Sequence, residues 1–251
     1  MVDKVFVVTG GGGDIGSATV RLLLDRGARV AAFDRSIDAL TNLGDVPTDQ
    51  VFARTCDVTS EDDVVAALAD VRSSLGPIGG IVNGAGIEGR RAPIDQVSAD
   101  MFAAVMAVNV TGVFLCMKHV IPLLRENGGG TIVNICSTAG FKGVEGMSPY
   151  VASKHAVLGL TRSGALEWGR HNIRVNCVAP GPVEGRMLSS IFAEKAQDPN
   201  WPSLESRRAL NPSGRFADPG EIAAVIAFLL SGAAPFVNGA MFSVDGGVSA
   251  L

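Results

Sequence analysis

Strand-like and helix-like segments alternate along this sequence from its first residues to its last. Short apolar runs rich in β-branched residues are separated by stretches in which apolar residues recur three and four apart. The predicted strands are Lys4–Thr9, Arg29–Phe33, Gln50–Thr55, Gly80–Val82, Thr131–Ile135, Ile173–Val178 and Ala240–Val244. The predicted helices are Ile15–Arg26, Ser36–Leu43, Glu61–Leu75, Ala99–Arg125, Tyr150–Arg170 and Pro219–Leu230. This alternation predicts a doubly wound, Rossmann-type α/β fold, with a parallel sheet covered by helices on both faces.

The length and composition favour one domain spanning residues 1–251. Apolar residues make up 47% and charged residues 18%, and no proline- or serine-rich linker divides the chain. The least regular stretch is Gly181–Phe216, which contains four prolines. Because it follows a strand end, where open α/β sheets bind ligands, it is predicted to be a substrate loop or lid.

Charge and hydropathy argue against several classes of partner. The net charge is −4 and there is no basic tract, so nucleic acid is not expected as the main partner. The N-terminus enters a strand without a signal-peptide pattern, and no apolar run reaches about 18 residues. A cytoplasmic protein without a membrane span is therefore expected.

The cysteines and histidines show no metal-ligand spacing, so no metal site is expected. The cysteines are far apart in apolar surroundings, which favours buried, reduced thiols. They are Cys56, Cys116, Cys136 and Cys177, and the histidines are His119, His155 and His171.

A glycine-rich loop joins the first strand to the first helix. Glycine lets the backbone turn sharply and approach a ligand closely, and a helix start offers N–H groups to a pyrophosphate. The candidate cofactor-binding residues of this loop are Gly10, Gly12, Gly13, Asp14, Ile15 and Gly16. The alternative is a flexible surface loop, which its position between strand and helix disfavours.

Asp34 ends the second strand, 18 residues after Gly16. A carboxylate about 20 residues beyond the glycines commonly binds the adenosine ribose and repels a 2′-phosphate. Arg35 follows and could tolerate that phosphate, so NAD is favoured over NADP without excluding it. The alternative for Asp34 is an ordinary residue of a strand-end turn.

Tyr150 and Lys154 are four residues apart on one face of a predicted helix, roughly 6 Å along its axis. A free tyrosine has a pKa of about 10, and a nearby ammonium favours the phenolate. Ser137, at the end of the strand facing the helix start, could hold a substrate oxygen. These three residues predict an acid/base site for a carbonyl and its alcohol, although an isolated Tyr-x-x-x-Lys pattern is usually a solvated pair.

Taken together, these motifs resemble the short-chain dehydrogenase/reductase family over essentially all 251 residues. Ser137 lies 13 residues before Tyr150, and Tyr150-Val-Ala-Ser-Lys154 fits the family's Tyr-x-Ala-Ser-Lys form. Further matches are Cys56-Asp57-Val58, Asn109-Val-Thr-Gly112, Ile173-Arg-Val-Asn176, Pro180-Gly181 and Val244-Asp-Gly-Gly247.

The resemblance implies a role for each matched residue. Tyr150 would be the general acid/base, Lys154 would lower its pKa and bind the nicotinamide ribose, and Ser137 would position the substrate oxygen. Asn109 would hold a water in the proton path behind Lys154. The remaining implied cofactor contacts are Asp57 and Val58 at the adenine, Asn83, Gly84, Ala85 and Gly86 along the cofactor, and Pro180, Gly181 and Val183 beside the nicotinamide.

Three positions depart from the family's usual pattern. Asp14 stands where glycine is common, and its carboxylate could cap the first helix or crowd the pyrophosphate. Gly84 replaces an asparagine, and Gly185 replaces a threonine that often contacts the nicotinamide amide. These departures bear on cofactor affinity more than on catalysis.

Three segments are expected to border the substrate: 86–94, 138–147 and 181–216. Their large apolar residues are Ile87, Phe141, Val144, Met147, Met187, Leu188, Ile191, Phe192, Trp201 and Leu204. They predict a pocket for a cyclic, aromatic or medium-chain secondary alcohol or ketone. Arg90, Arg91 and Arg186 offer the alternative of an anionic substrate or an acyl-carrier partner.

The function predicted is hydride transfer between NAD(H) and a secondary alcohol/ketone pair. The first alternative is an NADPH-dependent 3-oxoacyl-acyl-carrier-protein reductase. The second is a cofactor-binding regulator without catalysis. The resemblance also implies a homotetramer, built through Ala99–Arg125, Tyr150–Arg170 and the C-terminal helix-strand pair.

Overall fold

The computed structural model of the protein describes residues 1–43, 50–194 and 203–250. Its centre is a parallel sheet of seven strands in the order β3-β2-β1-β4-β5-β6-β7. The strands are β1 Val5–Thr9, β2 Arg29–Asp34, β3 Val51–Thr55, β4 Ile78–Asn83, β5 Gly130–Ile135, β6 Ile173–Pro180 and β7 Met241–Val244. Every strand predicted from the sequence is present, with bounds within two residues, and the predicted fold class is confirmed.

Nine α-helices connect or flank these strands in the described part of the chain. They are α1 Asp14–Asp25, α2 Ile37–Leu40, α3 Glu61–Leu75, α4 Ala99–Met106, α5 Gly112–Glu126, α6 Ser148–Trp168, α7 Arg186–Glu194, α8 Leu204–Ala209 and α9 Pro219–Leu230. A π-helical turn at Ala107–Thr111 joins α4 to α5. The two helices therefore form one continuous helix, as was predicted there. The helix predicted at Ser36–Leu43 is shorter, because 3₁₀ geometry replaces it from Thr41.

The stretch Gly181–Phe216 is more regular than its sequence indicates, since it contains α7 and α8. Both helices are short, and periodicity is hard to detect over so few residues. Ser203 caps α8 by accepting a hydrogen bond from the N–H of Ser206 at 3.1 Å. Residues 195–202, which carry two of the prolines, lie outside the described part of the chain.

Helices pack on both faces of the sheet because alternate strand residues point to opposite sides. On one face, Val7 and Ile81 join the core with α3, α5 and α6. On the other face, Phe6 and Val82 join α1 and α9. All five residues of β1 are buried, as expected of a central parallel strand.

The continuous helix Ala99–Glu126 is long and apolar enough to cross a membrane by length and composition alone. Core helices of soluble proteins pass the same test. Here Val113, Val120 and Leu124 belong to the core cluster beneath the sheet, and α5 packs against β4 and β5, so part of the apolar surface of the helix is buried in the core. The four cysteines are buried and free, which confirms the prediction of buried thiols.

The order of the strands reverses at β1, which has β2 on one side and β4 on the other. Connections from β1 and β4 therefore leave the sheet in opposite directions and open a crevice at the carboxyl ends of the strands. The glycine-rich loop after β1 borders this crevice.

Candidate active site

A cleft of about 1320 Å³ lies above the carboxyl ends of the strands. Single small-molecule pockets are typically about 300–1,000 Å³, so the cleft has room for a large cofactor together with a substrate. Its lining includes most of the predicted cofactor and catalytic residues: Gly10, Gly13, Asp14, Ile15, Gly16, Asp34, Arg35, Asp57, Val58, Gly84, Ala85, Gly86, Ser137, Tyr150, Lys154, Pro180, Gly181 and Val183.

The glycine loop leaves no space for side chains at three positions. A Cβ on Gly10, whose φ is +67°, would lie 2.9 Å from the backbone of Gly84 and Ala85. A Cβ on Gly12 would lie 2.5 Å from Ala39, and one on Gly16 would collide with the carbonyl oxygen of Gly10. The loop therefore requires glycine to bring its backbone to the cleft.

The start of α1 is open to the cleft. Gly13 is the N-cap residue, and no side chain caps the helix. The first N–H groups of a helix lack partners within the helix and carry its positive dipole end. Uncapped N–H groups beside glycine backbone fit the diphosphate of a dinucleotide.

Asp34 is held at the end of β2 by two backbone N–H groups. Its Oδ2 accepts from Gly12 at 3.1 Å and its Oδ1 from Ser36 at 3.3 Å. The Oδ1 of Asp57 accepts from the N–H and hydroxyl of Thr59 at 2.9 and 2.7 Å. These bonds lower the pKa of Asp57, with a smaller contribution from the charge of Arg35. This end of the cleft thus presents two fixed carboxylates suited to the hydroxyl and amine groups of an adenosine.

The loop after β4 is fastened to the end of β1. The hydroxyl oxygen of Thr9 accepts from the N–H of Gly84 at 3.0 Å and of Ala85 at 3.2 Å. A Cβ on Gly84 would lie 2.7 Å from the carbonyl oxygen of Thr9 and 3.1 Å from Ile135. In this backbone arrangement the asparagine that is usual in the family would not fit.

Asn83 does not line the cleft, contrary to the prediction from the resemblance. The residue is 2% exposed, and its Nδ2 donates to the Oδ1 of Asn134 at 2.8 Å. Asn134 in turn donates to the hydroxyl of Thr161 at 2.9 Å. The amide of Asn83 is therefore buried beneath the cleft. It connects β4 to β5 directly and to α6 through Asn134.

Asn109 is fully buried in the π turn between α4 and α5. Its Oδ1 accepts from the N–H of Ile87, and its Nδ2 donates to the carbonyl oxygen of Ile87, each at 2.8 Å. The same Nδ2 donates to the hydroxyl of Ser153 at 3.0 Å. The side chain therefore clamps the loop after β4 to α6, and its predicted role in holding a water stays a prediction.

The structure brings Ser137, Tyr150 and Lys154 together at the floor of the cleft. Ser137 follows β5 in an extended conformation, and its oxygen accepts from the N–H of Ala139 at 3.1 Å. Its side chain also lies within hydrogen-bonding range of Tyr150, in the first turn of α6. The Nζ of Lys154, one turn further along, lies 5.5 Å from the centre of the Tyr150 ring.

Burial dominates the electrostatics of Tyr150 in the chain without cofactor. Burial raises its pKa to about 12, against the lowering effect of the hydrogen bond with Ser137. The charges of Cys136 and Glu88 raise this pKa further. Burial also lowers the pKa of Lys154 to about 8. The buried ammonium of Lys154 donates to the carbonyl oxygen of Ile135 at 2.9 Å, and its predicted effect on the tyrosine pKa stays a prediction.

Apolar side chains dominate the far side of the cleft. Six of those predicted line it: Ile87, Val144, Met147, Met187, Leu188 and Phe192. Phe141 and Leu204 lie outside the lining, while Trp201 and the side chain of Ile191 fall outside the described part. Leu210 and Phe216, which were not singled out in the sequence, also line the cleft.

Charged groups border this apolar region. Arg91 lines the cleft and donates to the Sδ of Met147 at 3.0 Å, whereas Arg90 is outside the lining. The sequence analysis did not single out Glu88. Its position could have indicated it, because it is a charged residue inside the segment 86–94, which was expected to border the substrate. Its Oε1 accepts from the hydroxyl of Ser190 on α7 at 2.9 Å.

Asp14 neither caps α1 nor stands alone at the glycine loop. It is the first residue of the helix, and its Oδ2 accepts from the N–H of Arg186 at 2.8 Å. Within the residues that the structure describes, no group of three or more His, Cys, Asp or Glu side chains could hold a metal ion.

Comparison with known proteins places this cleft among oxidoreductases. A family model described as enoyl-(acyl carrier protein) reductase matches residues 12–249. Levodione reductase of Leifsonia aquatica is 39% identical over 255 aligned residues, covering 99% of this chain and 95% of that protein. The 2,5-dichloro-2,5-cyclohexadiene-1,4-diol dehydrogenase of Sphingobium indicum is 41% identical over 250 residues, covering 99% and 98%.

Solved structures agree with these relatives. The crystal structure of levodione reductase matches with a TM-score of 0.94 and 38% identity, covering 100% of this chain and 99% of that one. A variant of actinorhodin polyketide ketoreductase with NADPH matches with a TM-score of 0.93 and 34% identity, covering 99% and 98%. The likeness extends over nearly the whole chain and includes the cleft.

Proposed function

The chain belongs to the short-chain dehydrogenase/reductase family, and we propose that within this family it is an NAD-dependent dehydrogenase of a cyclic secondary alcohol. The family model and relatives with 39% and 41% identity span almost its full length. The protein is therefore an oxidoreductase that acts on CH–OH groups. The choice of NAD and the cyclic substrate are the proposed part.

The observation that carries the proposal is that Ser137 and Tyr150 meet in one cleft, which is lined both by the predicted cofactor residues and by apolar side chains. Ser137 holds the substrate oxygen. Tyr150 accepts the hydroxyl proton when the alcohol is oxidised and donates it when the ketone is reduced. A bound nicotinamide supplies the hydride acceptor or donor.

The pKa of Tyr150, raised to about 12, affects ketone reduction and alcohol oxidation differently. At neutral pH the phenol of the free protein is protonated, which is the form that donates to a ketone oxygen. Oxidation requires the phenolate, so it becomes faster as the pH rises. Lys154 lies beneath the ring and places a positive charge near the base of the cleft at neutral pH.

The residues that would hold the cofactor follow from the fit of the cleft. The uncapped start of α1 would bind the diphosphate, and Asp57 and Val58 would border the adenine. Asp34 would accept hydrogen bonds from the ribose hydroxyls. Because two N–H groups fix its carboxylate, Asp34 cannot easily turn away from a 2′-phosphate, which supports NAD over NADP.

The relatives support a cyclic substrate. One is named for the reduction of levodione and another for the dehydrogenation of a chlorinated cyclohexadiene diol. The cleft of this chain offers a compatible surface, since Val144, Met147 and Leu188 line the same cleft as Tyr150. A ring that carries its oxygen on a secondary carbon would place that oxygen at Ser137 and Tyr150 and its apolar body against these side chains.

We extend the proposal to assembly and location: a cytoplasmic homotetramer that acts on a small molecule. Exposed apolar side chains on the long helices support the tetramer, namely Phe102 on α4, Phe114 on α5, Leu166 on α6 and Phe228 on α9. Leu166 is the most exposed of the four, at 83%. A monomer in sedimentation experiments would refute this assembly.

The test is hydride transfer, followed by cofactor absorbance, with cyclohexanol, cyclic diols and linear secondary alcohols, each with NAD and NADP. Turnover that prefers NAD and a ring substrate, and that is lost in Tyr150→Phe, is expected. Preference for NADPH with a 3-oxoacyl thioester would instead support the acyl-carrier-protein reductase. Saturable cofactor binding without turnover by any pair would support the non-catalytic regulator.

A further inference from the structure

Two of the departures from the family pattern, Asp14 and Gly185, lie against each other in the folded chain. The Oδ2 of Asp14 accepts from the N–H of Arg186 at 2.8 Å. A Cβ on Gly185 would collide with the Asp14 carboxylate, and the φ of Gly185 is +148°, which side-chain-bearing residues rarely adopt. The carboxylate at 14 and the glycine at 185 are therefore one structural feature.

This feature positions the side chain of Arg186 at the glycine loop. Its Nη2 donates to the carbonyl oxygen of Gly12 at 2.8 Å, and its Nε lies 3.8 Å from the Oδ1 of Asp14. The same nitrogen, Nη2, is 4.0 Å from where a Cβ on Gly13 would stand. The Arg186 side chain is 62% exposed and lines the cleft. It lies beside the helix start, where the diphosphate is expected.

The carboxylate of Asp14 at the start of α1 requires a compensating positive charge if a diphosphate is to bind there. A carboxylate on the first residue of α1 opposes the positive helix end that attracts a diphosphate. The guanidinium of Arg186 offsets that charge and adds N–H donors whose planar arrangement matches phosphate oxygens. Asp14 and Arg186 together are neutral, so the helix end keeps its attraction for an anion.

We propose that Arg186, positioned by Asp14, is a binding residue for the cofactor diphosphate. The inference rests on the proposed binding of a nicotinamide dinucleotide in this cleft. It assigns Arg186 to the cofactor, whereas the sequence analysis left open a role for this arginine toward an anionic substrate. Asp14 is a positioning residue, because it acts through Arg186.

The position of α7 connects this contact to the substrate side. Ser190, four residues after Arg186 and therefore on the same helical face, donates to Glu88 at 2.9 Å. The helix is thus attached to the glycine loop at its first residue and to the loop after β4 one turn later. A diphosphate bound by Arg186 would hold α7 over the cleft, where Met187 and Leu188 face the substrate region.

The test is calorimetric binding of NADH, ADP-ribose and adenosine to the wild-type chain and to Arg186→Ala and Arg186→Lys. We expect Arg186→Ala to weaken NADH and ADP-ribose about tenfold or more, because a charge-assisted hydrogen bond is lost. Adenosine, which lacks phosphate, should bind within about twofold of the wild type. Arg186→Lys, which keeps the charge but not the planar fork, should lie between.

Arg72→Ala is the matched control. Arg72 on α3 pairs with Glu126 at 3.4 Å, and neither residue lines the cleft. Its removal deletes one positive charge without touching the glycine loop, so all three affinities should stay at wild-type values. Thermal unfolding of each variant shows whether it is folded.

Asp14 provides a second, independent readout. In the wild-type background Asp14→Ala should weaken ADP-ribose, since Arg186 loses its anchor. In the Arg186→Ala background the same change should strengthen ADP-ribose, because it removes an uncompensated carboxylate from the diphosphate site. A purely structural role for Asp14 would weaken binding in both backgrounds and would overturn its assignment as a positioning residue.

Two results separate this inference from the proposed function. If Arg186→Ala bound ADP-ribose as tightly as the wild type, or lost as much affinity for adenosine as for ADP-ribose, the diphosphate contact would be overturned. The proposed dehydrogenase activity would not be affected by that result. Failure of the wild-type chain itself to bind NADH would overturn the proposed cofactor, and the role of Arg186 with it.

Discussion

Lys154 donates a hydrogen bond to the carbonyl oxygen of Ile135 at 2.9 Å, and its nitrogen lies 5.5 Å from the centre of the Tyr150 ring. This hydrogen bond holds the lysine side chain against the end of β5. The pKa of Tyr150 reflects burial first and the hydrogen bond with Ser137 second. The serine is thus the side chain that favours the phenolate in this arrangement.

Replacing Tyr150 by phenylalanine should lower turnover by about 10²–10⁴-fold, the usual contribution of a positioned acid/base group. The ring remains, so the packing of α6 and the affinity for NADH should be nearly unchanged. Steady-state kinetics beside calorimetric NADH binding would measure both. Turnover close to the wild-type value would rule out Tyr150 as the proton carrier.

The ionisation of Tyr150 can be measured directly, because it is the chain's one tyrosine. Tyrosinate absorbance in the native protein without cofactor should titrate with a pKa of about 12, compared with about 10 in denaturant. Glu88→Gln should lower the native value, since it removes a negative charge that disfavours the phenolate. Glu205→Gln, on the exposed helix α8, should leave it unchanged. A native titration at about 10 would contradict this account.

The same pKa predicts how stability depends on pH. The folded pKa of Tyr150 lies above the unfolded value, so the folded state resists the ionisation that the unfolded chain undergoes. The contribution of Tyr150 to stability is complete below about pH 10 and is lost as the pH rises toward 12. Denaturant unfolding across this range should show a steeper loss for the wild type than for Tyr150→Phe.

Asp34→Asn should shift the cofactor preference toward NADP by about tenfold in the ratio of kcat/KM values, because a charge that repels the 2′-phosphate is removed. Asparagine keeps an oxygen that accepts from the N–H of Gly12, so the loop should hold its shape. Arg35→Ala is the complementary control and should move the ratio toward NAD. An unchanged ratio in Asp34→Asn would place the ribose elsewhere.

Asn109→Ala should destabilise the protein by about 1–3 kcal/mol, because the N–H and carbonyl oxygen of Ile87 lose their partners. Denaturant unfolding measures this change. Ser73→Ala, which removes an exposed hydroxyl from α3, should change stability by less than about 0.5 kcal/mol. Equal stabilities of the two variants would show that the clamp on Ile87 contributes little.

Local sequence patterns were sufficient for most elements of the fold. Helices α3 and α9 begin and end at the predicted residues, and both have local capping that is visible in the sequence. Ser60 accepts from the N–H of Asp63, and Asp218 forms a reciprocal capping box with Glu221. Such signals act over three or four residues, so they can be found without knowledge of the tertiary structure.

Helix α7 was missed because its stabilising contacts are largely non-local. The first residue of α7 is held by Asp14, which is 172 positions away in the chain, and Ser190 is held by Glu88, 102 positions away. A nine-residue helix is marginal in isolation, and its persistence depends on tertiary contacts. No local pattern encodes those partners.

The sequence by itself determined the order of strands and helices, the glycine loop, and the chemical types that meet in the cleft, because hydrophobic period and motif spacing are properties of the chain. Tertiary structure decided which groups those side chains bind. It directed Asn83 to Asn134 beneath the cleft, Lys154 to the carbonyl oxygen of Ile135, and Asp14 to Arg186. Each of these partners lies on a different element, and only the packing of strands and helices brings a buried polar group within reach of the acceptor or donor that satisfies it.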